Sequence, residues 1–275
     1  MSQTWLVTGS SRGLGRAFAE AALRAGHRVA ATARRIESLK SLREEFGDRA
    51  LPLQLDVTDA QQASDVVRTT IDIFGDLDVL VNNAGYGNVA PIEETSLQEF
   101  REQIETNLFG VIIMTKAVLP YFHERNAGRI FQISSIGGRI GPVGRAPYAA
   151  AKFGVEGFSE SLAKEVGPLG IRVTIVEPGG FRTDFAGSST TLRSGGPDYE
   201  TTVGRGVRFQ LDFNGKQPGD PAKAASVLLE LALSDEPPLR ILLGRDAYEA
   251  AEKNDEARLA LTRGSKTLSL STDFS

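Results

Sequence analysis

From its first residues the chain alternates short apolar runs with longer amphipathic stretches, the pattern of strand, helix and strand units that feed a parallel sheet. The apolar runs fall at Thr4–Thr8, Arg28–Ala33, Ala50–Gln54, Val79–Asn82, Arg129–Ile133, Arg172–Glu177 and Leu239–Leu243. Helical periodicity falls between them, near Leu14–Ala25, Ile36–Phe46, Ala60–Phe74, Leu97–Arg125, Tyr148–Val166 and Ala222–Ala232. About seven strands and six helices in this order predict an α/β fold: one doubly wound parallel sheet with helices on both faces.

Two segments break the rhythm. Thr183 to Asp220 is rich in Gly and Pro and shows no sustained period, so it reads as a long loop, a feature that in compact domains is usually functional. It ends at Asp220-Pro221, an N-cap followed by Pro at the first helical position. After Leu243, Asp246–Leu261 reads as a polar helix and Gly264–Ser275 as a frayed end. The expected division is a catalytic domain over residues 1–244, including the 183–220 loop, and a helical extension over 245–275.

Composition narrows the function. The chain has 275 residues, enough to bury a large core, with no Cys and two His. Disulfides and thiolate metal sites are therefore out, and an imidazole metal site is not expected. A net charge of −4 argues against a nucleic-acid partner. No apolar run suits a membrane span and no export signal is visible, so a cytoplasmic location is expected.

The turn Thr8-Gly9-Ser10-Ser11-Arg12-Gly13-Leu14-Gly15 lies between the first strand and the first helix. Glycines there let the backbone approach a phosphate, and the helix N-terminus offers it free N–H groups. An acidic residue ending the second strand would bind the ribose hydroxyls of NAD. Ala33 stands there, followed by Arg34 and Arg35. Guanidinium groups suit a 2′-phosphate, so NADP (NADPH) is the expected cofactor, with Arg12 able to meet the same phosphate.

Tyr148 and Lys152 are four apart in a helical stretch and share a face. Alone such a pair means little. Ser135 follows the fifth strand, and Asn107 stands inside an apolar helix that it does not favour. A buried amide bonded to backbone would equally explain Asn107, and a loop cap Ser135.

Taken together, Thr8-Gly9-Ser10-Ser11-Arg12-Gly13-Leu14-Gly15, Asn82-Asn83-Ala84-Gly85, Asn107, Ser135, Tyr148-Ala149-Ala150-Ala151-Lys152 and Pro178-Gly179 make the chain resemble the short-chain dehydrogenase/reductase family, from about Thr4 to Gly244. The resemblance implies a Rossmann-like fold and hydride transfer between a nicotinamide and a carbonyl or alcohol. Tyr148 would be the general acid or base. An ordinary tyrosine titrates near pH 10, and Lys152 would lower that value and hold the nicotinamide ribose. Ser135 would bond the substrate oxygen, and Asn107 would anchor a water leading to Lys152. Gly9, Ser11, Arg12, Gly13, Leu14, Gly15, Arg34, Asp56, Val57, Asn83, Ala84, Gly85, Pro178, Gly179 and Thr183 would line the cofactor. Phe181 departs from the family's usual Val or Ile, which bears on local packing.

The substrate is expected to be a small ketone or alcohol, with pocket candidates Tyr86, Ile136, Gly137, Val143 and Phe185 and, in the long loop, Tyr199, Phe209 and Phe213. The resemblance implies a homo-oligomer, dimer or tetramer. A reading of another class is a dinucleotide-sensing regulator that keeps the fold without turnover. Members of that kind usually lose part of the tetrad, and all four residues stand here.

Overall fold

The computed structural model describes residues 2–274; Met1 and Ser275, the outermost residues of the two expected segments, lie outside the described residues. The elements run β1 (Thr4–Val7), α1 (Gly13–Arg24), β2 (Arg28–Ala33), α2 (Lys40–Phe46), β3 (Ala50–Gln54), α3 (Ala60–Phe74), β4 (Val79–Asn82), β5 (Gly87–Val89) and α4 (Leu97–Ile104). There follow α5 (Gly110–Arg125), β6 (Gly128–Ile133), α6 (Ala146–Val166), β7 (Ile171–Pro178), β8 (Thr190–Leu192), α7 (Arg205–Phe213), α8 (Pro221–Leu233), β9 (Arg240–Leu243), α9 (Arg245–Gly264) and α10 (Lys266–Leu270).

Seven strands form one parallel sheet in the order β3-β2-β1-β4-β6-β7-β9. Its strands are buried on both faces, as parallel sheets require. Alternation along each strand divides the core. Trp5 and Val7 of β1, with Val29 and Ala31 of β2, pack under α1 and α8. Leu6, Ala30 and Leu80 point the other way, against α3, α5 and α6. The strand order reverses between β1 and β4, and in such sheets ligands bind outside the carboxyl ends at that point.

The expected strands and helices are present, with ends moved by a residue or two and three larger departures. The stretch from Ile36 begins as a 3₁₀ turn, Ile36–Leu39, before α2. The long helix at 97–125 is interrupted by a π turn, Glu105–Phe109. The third departure corrects the reading of 183–220, which carries β8, a π turn at Glu200–Gly204 and the helix α7. Its order comes from tertiary packing: β8 pairs with β5, and Val203 and Val207 close on Val89. Too few apolar anchors sit between the glycines to make a visible period. The tail is also more helical than expected, since α10 follows α9, yet every described residue beyond Asn254 is exposed. Among the described residues no helix is long and apolar enough to cross a membrane.

Candidate active site

At the carboxyl ends of β1, β4, β6 and β7 lies a cleft of about 660 Å³, within the range of small-molecule and cofactor sites. Its first wall is the glycine turn. Gly9 and Gly13 have φ of +67° and +62°, backbone that favours glycine. A Cβ on Gly15 would lie 2.3 Å from Asn83 Nδ2 and 2.4 Å from the Gly9 carbonyl oxygen. The turn is pinned to β4 by Thr8, whose Oγ1 accepts from the backbone N–H groups of Asn83 and Ala84 at 2.9 and 3.0 Å. Asn83 Nδ2 donates back to the Thr8 carbonyl at 3.0 Å. No side chain caps the start of α1 and no acidic residue stands in its first turn. An anion placed there meets the positive end of the helix dipole without competition.

Arg34 is exposed at the end of β2 and lines the cleft, whereas Arg35 does not. Arg12 also faces the cleft, but its Nη1 donates to Ser188 Oγ at 2.7 Å, which ties it to the segment after β7. Asp56 and Val57 line the same end. Asp56 Oδ1 accepts from the backbone N–H of Thr58 at 3.0 Å and from its hydroxyl at 2.7 Å. At the other end Thr183 faces Gly13: the nearest atom to a Cβ built on that glycine is Thr183 Cβ, 3.6 Å away. Ser11, Leu14, Gly85, Pro178 and Gly179 complete this lining.

Helix α6 supplies the opposite wall. Tyr148, Lys152, Val155, Ser159, Leu162 and Val166 follow the helical repeat and form its buried face. Tyr148 is 5% exposed and Lys152 4%. Lys152 Nζ donates to the Ile133 carbonyl at 2.7 Å and stands 5.8 Å from the centre of the Tyr148 ring. Burial lowers Lys152 to about 8, opposed by the charge of Glu156 one turn on. Burial also raises the Tyr148 phenol above its ordinary value, opposed by a hydrogen bond with Ser135 and by the charge of Arg145. The net shift of Tyr148 is upward, not downward as expected: desolvation outweighs the Ser135 hydrogen bond and the Arg145 charge. Ser135 also accepts from the Gly137 N–H at 3.0 Å, which holds the 3₁₀ turn after β6.

Asn107 sits in the π turn, fully buried. Its Oδ1 accepts from the Tyr86 N–H at 3.2 Å, and its Nδ2 donates to the Tyr86 carbonyl at 3.1 Å and to Gln103. The extra residue in the helix turns the amide onto the strand exit that carries Gly85. A Cβ on Gly85 would come within 2.4 Å of Asn107 Oδ1.

Residues 3–193 match the model of the short chain dehydrogenase family. The chain belongs to that family. Oxidoreductase BOA17 of Botryotinia fuckeliana is 45% identical over 273 residues, spanning 99% of this chain and 100% of that protein. A short-chain dehydrogenase from Streptomyces avermitilis superimposes with a TM-score of 0.92 at 40% identity, over 99% of this chain and 98% of that one. A variant of actinorhodin polyketide ketoreductase solved with NADPH matches at a TM-score of 0.75 and 30% identity, over 88% and 95% of the two chains. The family uses nicotinamide cofactors, and this dehydrogenase-family chain is an oxidoreductase.

The remaining cleft of this short chain dehydrogenase lies between Tyr148 and α7. Ile136, Gly137 and Phe185 line it, and the Phe185 ring is 5.7 Å from that of Tyr148, tilted by 53°. Phe209 and Phe213 of α7 also face it, stacked at 5.1 Å. Tyr86 lines the same cleft on the side of Arg34, its hydroxyl beside Thr106 and under the influence of Glu102 and Arg34. Val143 is a correction. It is 61% exposed and outside the cleft, because Gly144 turns with φ of +75° to pack on Val89 and Val203 and aims its neighbour outward. Tyr199 packs with Val203 and Val207, away from the lining. Phe181 is buried in the core beside β9 and bridges Gly219.

Three residues escaped the sequence reading. Arg145 and Gln210 face the cleft together, and Arg145 Nη2 donates to Gln210 Oε1. Asp246, in the first turn of α9, accepts from the Gly180 N–H at 2.6 Å. A Cβ on Gly179 would strike the same carboxylate at 2.4 Å. Asp220 as a cap was legible because its partner is two residues away; these three act on residues far along the chain.

Proposed function

We propose that the chain is an NADP(H)-dependent oxidoreductase that interconverts a carbonyl compound and the corresponding secondary alcohol, with Tyr148 as general acid and base. The observation that carries this reading is the placement of Tyr148 beside Ser135, with Lys152 one turn deeper, on the wall opposite the glycine turn. The open cradle at Gly9, Gly13 and Gly15, with an uncapped helix start, suits a pyrophosphate. Bound there, a nicotinamide dinucleotide supplies or accepts the hydride. Tyr148 holds its proton near neutrality, because burial keeps its pKa high, and so stands ready to protonate a carbonyl oxygen in the reducing direction. Ser135 donates to the same oxygen as negative charge develops on it. Lys152 sets a positive charge one turn behind the phenol and would hold the ribose hydroxyls. Arg34 would meet a 2′-phosphate, a contact that favours NADPH over NADH.

The experiment is NADPH oxidation by purified protein over a panel of ketones, for wild type and Tyr148→Phe, together with NADPH binding for both. Turnover lost and binding kept is the expected result. Retained turnover in the variant overturns the role of Tyr148. Binding of NADPH with no turnover of any ketone or alcohol by the wild type favours the dinucleotide-sensing reading instead.

A further inference from the structure

Arg145 precedes α6 by one residue and turns its guanidinium into the cleft beside Tyr148. Three other partly buried arginines of this chain face carboxylates: Arg28 meets Asp76 at 2.8 Å, Arg139 meets Glu177 at 2.6 Å, and Arg240 meets Glu156 at 3.0 Å, whereas Arg129 and Arg172, which lie outside the cleft, form no ion pair among the described residues. Arg145 has no such partner among the described residues. Its hydrogen bond goes to the neutral Gln210 amide, and Tyr148 is the titratable group that acts on it. Desolvation opposes its charge. A cation held in a desolvated place without a counter-ion is costly unless a ligand supplies the anion.

The neighbourhood is built around that side chain. Gln210 spends its carbonyl on Arg145 and donates its Nε2 to the Ala186 carbonyl at 3.2 Å, so α7 and the turn carrying Phe185 are fixed to the guanidinium. The nearest atoms to a Cβ built on Gly87 are Thr190 Oγ1 at 2.8 Å, Phe185 Cζ at 3.2 Å and Arg145 Nη1 at 3.5 Å. Glycine at 87 leaves room for the Phe185 ring and the Nη1 edge of the fork to pack against β5. The cleft's carboxylates are Asp56 at β3's exit, Glu102 and Glu105 on the helix of Asn107, and Asp184 at the start of the turn that carries Phe185, and none of them acts on Arg145.

We propose that the carbonyl substrate carries its own carboxylate, received by Arg145: an oxo acid whose carbonyl faces Tyr148 and Ser135 and whose hydrocarbon part lies against Phe185, Phe209 and Phe213. This deepens the proposed function and rests on it. Reduction leaves the carboxylate unchanged. The carbonyl carbon gains a hydride from NADPH, its π electrons pass to the oxygen, and that oxygen takes the Tyr148 proton, which solvent replaces. The balance is oxo acid, NADPH and one proton giving hydroxy acid and NADP⁺. A planar guanidinium suits the two oxygens of a carboxylate in one plane and fixes which face of the carbonyl is presented.

The test uses chain-matched pairs, benzoylformate with its methyl ester and 5-oxohexanoate with its methyl ester, and a phosphate arm, dihydroxyacetone phosphate. The expected result is a preference for the free acids, with the acid-to-ester ratio of kcat/KM falling about tenfold to a hundredfold in Arg145→Gln, the range for a lost hydrogen bond to a charged group. Arg145→Lys, which keeps the charge and loses the fork, should fall between. A ratio unchanged in Arg145→Gln overturns the inference, including the case in which the pH profile shifts equally for acid and ester, because Arg145 would then act on Tyr148 alone. Dihydroxyacetone phosphate outrunning both acids overturns the carboxylate in favour of phosphate. A second measurement needs no turnover: the thermal shift of the NADPH complex with phenylacetate against phenylacetamide. Stabilisation by the acid alone, lost in Arg145→Gln, supports the site even if every ketone fails and the proposed function falls. Equal shifts by acid and amide overturn the inference while leaving that function standing.

Discussion

The Lys152 ammonium stands 5.8 Å from the centre of the Tyr148 ring, but its hydrogen bond goes to the Ile133 carbonyl at 2.7 Å. Lysine and phenol are thus held by the same strand exit and helix without spending their hydrogen bonds on one another. Both are desolvated, which raises the phenol and lowers the ammonium to about 8. The pair is poised with both protons on near neutrality, and the ammonium is the one closer to losing its own.

Removing the phenolic oxygen tests the proton-transfer role directly. Tyr148→Phe keeps the ring and its packing on Phe185. Steady-state kinetics should show kcat reduced about 10²- to 10⁴-fold, the usual contribution of a positioned acid or base, with NADPH affinity within about threefold of wild type.

Lys152 should leave a signature in stability against pH. In the unfolded chain it titrates near 10.5 and in the folded chain at about 8. Between those values the unfolded state binds more protons, so stability rises as pH rises and the burial penalty is relieved. Lys152→Met removes the penalty at every pH. Urea denaturation should therefore show the variant's advantage over wild type shrinking by about 2 kcal/mol from pH 7.5 to pH 10, on the scale of 1.36 kcal/mol per unit.

Arg34 should govern the choice of dinucleotide. Wild type is expected to bind NADPH more tightly than NADH, and Arg34→Ala should lose about tenfold to a hundredfold of NADPH affinity, the range for hydrogen bonds to charged groups. NADH affinity should change little. A wild type that prefers NADH would refute the electrostatic argument.

Gly15→Ala introduces a methyl group 2.3 Å from Asn83 Nδ2 and 2.4 Å from the Gly9 carbonyl. Because one of those atoms is backbone, the turn itself must move. Overpacking of this kind costs about 1–3 kcal/mol, so thermal denaturation should show a lowered Tm. Fluorescence titration should show NADPH binding weakened by more than the loss of stability explains.

Asp246→Ala leaves the Gly180 N–H without its 2.6 Å acceptor. An unsatisfied group of this kind costs about 1–3 kcal/mol, measurable by chemical denaturation. The KM for the carbonyl compound should rise with it, since Gly179 and Gly180 line the cleft.

The sheet was legible because each parallel strand is a short apolar run followed by a helix whose period shows in sequence. The glycine turn was legible for the same reason: Gly9, Gly13 and Gly15 act within one local unit. The order in 183–220 was hidden because Val203 and Val207 find their partner in Val89, far away in sequence. Arg145 reads as a helix-start residue until Gln210 and Gly87 are brought beside it. Val143 was misread because its direction depends on the left-handed turn at Gly144. The desolvation that raises Tyr148 is likewise a property of the packed site, invisible in a four-residue spacing.

The grip of Asp246 on Gly180 also sets an order of assembly. Chains emerge from the ribosome N-terminus first and their units fold as they appear. The glycine turn, Ser135, Tyr148 and Lys152 are all synthesised before Asp246, yet the floor between β7 and β9 is fastened by that late carboxylate. A chain ending short of Asp246 would carry Asn107, Ser135, Tyr148 and Lys152 and still lack the carboxylate that fastens Gly180.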